Sequence, residues 1–361
     1  MSQNRSAENK EHDPLVSVLV LNYNGRKFLP DCFESLVKTA YPNFEIVLVD
    51  NHSTDDSVGY TRRQFPQVRI VETGANGGYS RAYNIAFQHA AGKYYVLLNN
   101  DVKVDPDWLH PLVAAAENDP QIAALQPKLL AMLQPGQFEY AGASGGFIDR
   151  YGYPFLRGRV FYTMEQDAGQ YDDEVEVFWT SGAAMFVRAE ALAKTALLDE
   201  DFVHHMEEID LCWRLRLAGY KLKVIPESKI YHYAGATIAP DSFKKVYWNF
   251  RNSLFMLIKN FETGNLLKVL PIRFFLDTVC LAGATLKFDF MKAFAVLKAY
   301  AWLICHLPLI LKKRKDSQSK RVLSDDRLRS MIHHESVLFA YFFKGKKTYT
   351  ELMNHSLNTE G

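Results

Sequence analysis

VSVLVLNYNG (16–25) decides the fold. Val16–Leu21 is a short, continuous, β-branched apolar run that breaks abruptly into Asn22-Tyr23-Asn24-Gly25. A run of this length without alternation indicates a strand buried on both faces, as in a parallel sheet. Three more follow the same plan: Phe44–Val49 (FEIVLV), Val68–Val71 (VRIV) and Tyr94–Leu98 (YYVLL). Between them, apolar residues at helical spacing predict helices over Arg26–Thr39, Ser57–Phe65 and Ser80–Ala91. Strand and helix alternate across 16–101, which predicts βαβ units and an open α/β sheet. Such sheets bind ligands outside the carboxyl ends of their strands.

The carboxyl ends here are polar. The first strand ends in Asn22 and Asn24, the second in Asp50-Asn51-His52-Ser53, the fourth in Asn99-Asn100-Asp101. Any one cluster is an ordinary turn, since Asn, Asp and Gly favour turns. Three after three buried strands point to one crevice. Farther along, Pro106–Asn118 is expected to be a helix and 136–175 loops with short strands. Trp179–Val187 is expected to be a strand or buried turn, Met206–Ala218 a helix, and Leu222–Ile225 a short strand followed by Lys229–His232.

Composition sets limits. The 361 residues suit one large domain with an appendage or two modest ones, and a net charge of +1 gives no global attraction to nucleic acid. The charge is uneven: residues 241–321 hold fifteen Lys/Arg against five Asp/Glu, a net of +10 that leaves −9 on the rest. The four cysteines show no metal-like or disulfide-like spacing and are expected to be reduced, buried thiols. The polar first fourteen residues are expected to be a disordered lead-in without a signal sequence.

Several residues carry candidate chemistry. Asp50 at a strand end can accept the ring N–H of a uracil or thymine. Asn76-Gly77-Gly78 lets backbone approach a nucleotide closely, and Arg81 in the next helix can reach a phosphate or serve as a surface arginine. Asp101 is the leading metal candidate, because Mg²⁺ and Mn²⁺ prefer a carboxylate completed by phosphates and waters. Asn99 lies on the same strand face and can bond a ribose. His232 is the second metal candidate, with a structural histidine as the alternative. Glu207, Glu208 and Asp210 crowd a helix start. Three carboxylates within four residues repel one another, which predicts at least one raised pKa unless a cation sits nearby, and a raised pKa would suit a general base; a first turn stabilised by the helix dipole is the alternative.

In this order the motifs resemble the family 2 glycosyltransferases of GT-A fold, most closely the bacterial rhamnosyltransferase-like branch that builds cell-surface polysaccharides. The resemblance rests on VSVLVLNYNG (16–25), EIVLVDNHSTDDS (45–57), NGGYSRAYNIAF (76–87), YYVLLNNDV (94–102), WTSGAAMFVRAEAL (179–192), HHMEEIDLCWRLRLAGYK (204–221) and YHYAGAT (231–237). It implies an α/β mixed sheet flanked by helices, with a catalytic domain over 15–240 (nucleotide half 15–104, acceptor half 105–240) and a helical extension over 241–361. It implies that Asp50 binds the base, with Asn22, Asn24, Asn76, Gly77, Arg81, Asn99 and Asn100 around the nucleotide. Asn99 and Asp101 fill the two ends of the family's Asp-x-Asp position, so that an amide replaces the first acid and Asp101 remains ligand to Mn²⁺ or Mg²⁺. His232 matches the distal histidine. Glu207-Glu208 stands where the family has Glu-Asp, which makes Glu208 the implied catalytic base, with Glu207 second. Trp179, Ser181, Gly182 and Asp210 are assigned to the acceptor side, with a core position as the alternative for Trp179 and orienting or holding the helix as the alternative for Asp210.

The implied reaction is a single inverting transfer from a UDP- or dTDP-sugar to a glycan or lipid-linked acceptor. An inactive binding module of the same fold is the competing reading. A nucleotidyltransferase would instead carry a Gly-rich loop after the first strand. The basic, apolar stretch 242–315 is expected to form amphipathic helices lying on the anionic inner face of the cell membrane, which would place the enzyme in the cytoplasm. A helical subdomain packed on the core is the alternative. Oligomeric state is not legible.

Overall fold

The computed structural model describes residues 13–233 and 242–354. Most of the expected lead-in, and the Ala234–Thr237 segment after His232, lie outside the described residues. The strands of residues 15–104 are β1 (Val16–Asn22), β2 (Phe44–Asp50), β3 (Arg69–Glu72), β4 (Tyr94–Asn99) and β5 (Val102–Val104), followed by β6 (Ile122–Ala131). A smaller set follows: β7 (Gly146–Asp149), β8 (Pro154–Leu156), β9 (Arg159–Val160), β10 (Thr163–Met164) and β11 (Val175–Glu176). The last strands are β12 (Ala184–Arg188), β13 (Lys221–His232) and β14 (Ile332–His333).

The main sheet runs β11-β13-β6-β12-β4-β1-β2-β3, with β5 paired to β13. β4, β1, β2 and β3 are parallel, whereas β12 enters antiparallel between β4 and β6. The sheet is therefore mixed. Its central strands β1, β4, β12 and β6 are buried on both faces, as their unbroken apolar runs require. Val16, Val18 and Val20 of β1 enter one core cluster with Tyr94, Val96 and Leu98, while Leu19 and Leu97 face the other. Each such Val or Leu removed from water contributes about 1.5–3 kcal/mol.

The helices are α1 (Leu29–Leu36), α2 (Ser57–Gln64), α3 (Gly78–Phe87), α4 (Leu109–Asn118), α5 (Ala189–Thr195) and α6 (Glu207–Leu217). The first is shorter than the apolar spacing predicts, because Pro30 fixes its start in the first turn. The largest difference is β13. Two expected short strands are one twelve-residue strand, carried past Pro226-Glu227-Ser228 by a register shift between Ile225 and Lys229. That continuity delivers His232 to a place opposite Val102 of β5, just past the end of β4.

Beyond residue 242 come α7 (Phe243–Asn260), α8 (Thr263–Leu286), α9 (Phe290–Cys305) and α10 (Leu307–Ser319). The C-terminal half of α7 is buried, and α9 and α10 pack against α7. α8 is pinned by buried Arg273, which donates to Tyr151 O (2.8 Å) and Ser253 Oγ (2.9 Å). Its other side and the adjoining turn expose Phe274, Phe275, Leu286, Phe288, Phe290 and Phe294, each at least 60% accessible. α8 is long and apolar enough to cross a membrane. Cys32 and Cys212 are buried free thiols, but Cys305 is exposed on α9, so the expectation of four buried thiols fails there.

Candidate active site

Register brings the strand-end clusters together. Asn22 pairs with Asp50 across β1–β2, and Leu21 with Asn99 across β1–β4. Asn22 Nδ2 donates to Asp50 Oδ1 (3.0 Å), and Asn100 Nδ2 to Asn22 Oδ1 (2.7 Å). The second oxygen of Asp50 accepts Ser53 N–H at 2.9 Å. Asp50 is thus fixed in orientation at 2% exposure. Gly25 closes this network: a Cβ there would fall 1.9 Å from Asn100 Nδ2. Asn24, at φ 51°, accepts Thr54 N–H at 2.7 Å and ties the first loop to the second. Asn51 Nδ2 donates to Asn76 Oδ1 (2.9 Å), and Gly77 N–H approaches Asn51 Oδ1 at 3.3 Å, which joins the third loop. Arg81 is exposed, with its stem over Gly77.

One residue past Asn100, Asp101 is 5% exposed. His232 Nε2 lies 3.0 Å from Asp101 Oδ1 and 3.3 Å from Asn99 Nδ2. On its other side His232 Nδ1 is 3.0 Å from Glu139 Oε1, off the line of a hydrogen bond. Glu139 is fully buried, and its second oxygen accepts Ala141 N–H (2.7 Å) and Gly142 N–H (3.0 Å). Burial would lower the His232 pKa; the flanking Glu139 and Asp101 carboxylates outweigh it and push it up to about 10. The ring's proton therefore balances charge that a divalent cation at Asp101 would otherwise balance. Among the described residues no three His, Cys, Asp or Glu side chains form a metal cage. The chain offers a carboxylate and an imidazole, a set that suits a cation completed by diphosphate oxygens and water. Sequence reasoning missed Glu139, which sits in a Gly- and aromatic-rich stretch without periodicity and 93 residues from its partner.

The acidic helix start faces this edge across one turn. Asn99 N–H donates to Ala183 O (3.0 Å), and a Cβ on Gly182 would lie 3.6 Å from Glu208 Cβ and 2.8 Å from the Tyr79 hydroxyl. Tyr79 donates to Gly182 O at 2.8 Å. Glu207 is buried and Glu208 half-buried, and each has a buried carboxyl oxygen without a hydrogen-bond partner. Burial pushes Glu208 up to about 7, and burial together with Glu208 pushes Glu207 up as well. The dipole alone would lower them, so the dipole does not account for this pair. A carboxyl near neutrality can take a proton at working pH.

The residues assigned to the acceptor side part company. Gly182 touches the helix start. Ser181 N–H donates to Gln126 Oε1 (2.7 Å) and its hydroxyl to Ala141 O (3.1 Å), which fix the turn. Trp179 is 4% exposed with its indole N–H on Phe147 O (2.9 Å), a core position. Asp210 is fully buried. It pairs with Arg214 and Lys259 (both 2.8 Å) and accepts Asn260 Nδ2 (2.8 Å), so it ties α6 to α7 and has no free edge for a ligand. Near the helix start lie instead the half-buried His204 and His205 beside Trp248 (ring centroids 5.2 and 6.3 Å), and an exposed Tyr140 is flanked by the half-buried Arg159 and Lys245.

Residues 17–169 match the family model described as Glycosyl transferase family 2. The O-antigen biosynthesis protein RfbC of Myxococcus xanthus is 28% identical over 240 residues, 65% of this chain and 18% of that protein. The chain thus spans less than a fifth of that relative's length. The N-acetylglucosaminyl-diphospho-decaprenol L-rhamnosyltransferase of Mycobacterium tuberculosis is 25% identical over 241 residues, 63% of this chain and 78% of that enzyme. Among solved structures, GalNAc-T7 with UDP, GalNAc and Mn²⁺ superposes with a TM-score of 0.54 at 18% identity, covering 69% of this chain and 48% of that one. That last likeness is one of fold, and the fold is that of the GT-A glycosyltransferases.

Proposed function

This chain carries a family 2 glycosyltransferase domain, and on that premise we propose that it moves a sugar from a UDP- or dTDP-linked donor to a glycan or lipid-linked acceptor, with inversion, in cell-surface polysaccharide synthesis. The observation that carries the reading is the juxtaposition, across the Ser181–Ala183 turn, of Asn99 and the Asp50 network with a near-neutral Glu208.

In this reading Asp50 accepts the base's ring N–H, and Asn99 positions the ribose. Asp101 and His232 would hold a Mn²⁺ or Mg²⁺ ion, which would supply positive charge for the leaving diphosphate. Glu208 takes the acceptor hydroxyl's proton as that oxygen bonds to the anomeric carbon. The bond from this carbon to the diphosphate oxygen breaks on the opposite face, and the diphosphate leaves with the electron pair. Holding both substrates in line supplies much of the rate. The aromatic and cationic rim of Trp248, Tyr140, Arg159 and Lys245 suits a sugar bearing phosphate. The exposed Phe residues around the α8–α9 turn, in a region of net charge +10, suit contact with the anionic inner face of the membrane, where such an acceptor would lie.

The test is thermal stabilisation by UDP, dTDP and GDP, with and without Mn²⁺. A Mn²⁺-dependent shift with UDP or dTDP that Asp101→Ala abolishes is the expected result. No shift with any nucleotide would overturn the donor site.

A further inference from the structure

Asp201–Met206 leads into α6 on an unfavourable backbone. Val203, His205 and Met206 have positive φ (65°, 69° and 71°), and none is glycine. Such residues persist only where their surroundings over-determine them. The surroundings lie on α7. Asn252 is fully buried, and its amide nitrogen donates to Phe202 O (2.9 Å), His204 O (2.8 Å) and His205 O (2.8 Å). Arg251, 5% exposed, donates Nη2–H to Asp201 O (2.5 Å) and Phe202 O (2.8 Å), and Nε–H to Asn252 Oδ1 (2.6 Å). Its guanidinium is stacked 4.5 Å over the Trp302 ring of α9. From the opposite side Tyr79 N–H, in α3, donates to Val203 O (3.2 Å), and a Cβ on Gly78 would meet that oxygen at 2.7 Å. The loop is therefore gripped between the nucleotide edge and α7.

We propose that Asn252 and Arg251 are positioning residues for sugar transfer: by collecting the carbonyls of 201, 202, 204 and 205 they hold the loop in its left-handed course and aim the Glu207–Glu208 pair into the crevice. The inference rests on the reading of Glu208 as base. A bond donor that only filled space would be indifferent to where those carboxylates sit. This one fixes the residues immediately before them, and one turn of backbone released there swings the carboxylates toward water.

The full-length chain tests this with Asn252→Ala, Asn252→Asp (same shape, one donor group lost) and Arg251→Lys (charge kept, fork lost). The proton equilibrium of Glu208 is followed by ¹³C-carboxyl NMR, assigned with Glu208→Gln, beside the pH profile of kcat. Glu207, Tyr79 and Cys212 face Glu208 and stay unchanged. Binding of UDP with Mn²⁺ by calorimetry reports whether the donor half is intact. The expected result is a fall in kcat of about tenfold or more with UDP affinity retained, and a Glu208 midpoint and acid limb moved down by about half a pH unit or more as the carboxyl hydrates. An unmoved midpoint and limb, with kcat falling only as the folded fraction falls, would overturn the proposal. If the Asn252 variants do not fold, Arg251→Lys decides by the same two readouts. If the wild-type chain transfers no sugar yet the Glu208 midpoint moves in the variants, the base assignment fails while the brace stands.

Discussion

Replacing Glu208 with glutamine should remove activity and strengthen the fold. Burial at the head of α6 pushes this carboxyl from 4.5 to about 7. The folded chain therefore holds that proton more tightly than the unfolded chain does. Its contribution to stability is full below about pH 4.5 and is lost as pH rises through about 7. A displacement of that size corresponds to about 3 kcal/mol as an upper limit. Glu208 keeps a partly exposed face and shares its titration with Glu207, so about 1–2 kcal/mol is the working figure. Glutamine has nearly the same shape and never ionises. Relative to wild type, Glu208→Gln should be about equally stable at pH 4.5 and about 1–2 kcal/mol more stable at pH 8. Urea unfolding followed by circular dichroism at both pH values measures it. In the same variant kcat should fall by about 10²–10⁴-fold, the usual worth of a general base, while UDP binding persists. A stability difference that does not change with pH would refute the reasoning, because it would mean that Glu208 is not held in a poorly hydrated site.

Glu139→Gln should weaken the Mn²⁺ dependence of nucleotide binding by about 10–100-fold, as loss of a residue that orients a metal-binding imidazole does; calorimetric titration with Mn²⁺ in the presence of UDP checks it. Asp50→Ala should cost about 1–3 kcal/mol of UDP affinity and erase the preference for uracil over cytosine, read by comparing UDP with CDP. Lys259→Met leaves fully buried Asp210 with Arg214 and Asn260 only and also removes the ion pair to Asp199, and should lower stability by about 3–5 kcal/mol, seen as a drop in urea midpoint. Serine at Phe288, Phe290 and Phe294 together should abolish co-flotation with anionic liposomes and leave UDP binding unchanged; equal recovery of variant and wild type would count against membrane contact.

The nucleotide half was legible because its physics is local. Each strand from β1 to β4 is a contiguous apolar run with its polar cluster directly behind it, so Asp50, Asn99 and Asp101 could be placed from sequence alone. β13 was read as two pieces because Pro226-Glu227-Ser228 interrupts the apolar pattern, and only pairing with β6 carries the strand across. Glu139 was invisible for a related reason: its meaning comes from His232, which reaches it through the sheet and not along the chain. Trp179 and Asp210 were assigned to the acceptor by their neighbours in sequence. Trp179 is claimed by Phe147, and Asp210 by Lys259 and Asn260, partners 32, 49 and 50 residues away. The crowding of Glu207, Glu208 and Asp210 already predicts a raised carboxyl pKa; that burial is its first cause was beyond sequence, since a charged helix start looks the same whether water or protein surrounds it.

The grip of α7 on the 201–206 loop has a consequence for the order in which the enzyme becomes competent during synthesis. The sheet edge that carries Asp50 and Asn99 is made with β4 and the Asn76–Tyr79 segment, whereas His232, the partner of Asp101, follows 131 residues later. The loop that precedes Glu207 acquires Asn252 and Arg251 only after about fifty further residues have emerged, and Arg251 acquires its Trp302 platform later still. In sequence order, therefore, the loop ahead of the proposed base is the last part of the site to be secured, after the residues proposed to hold donor and metal.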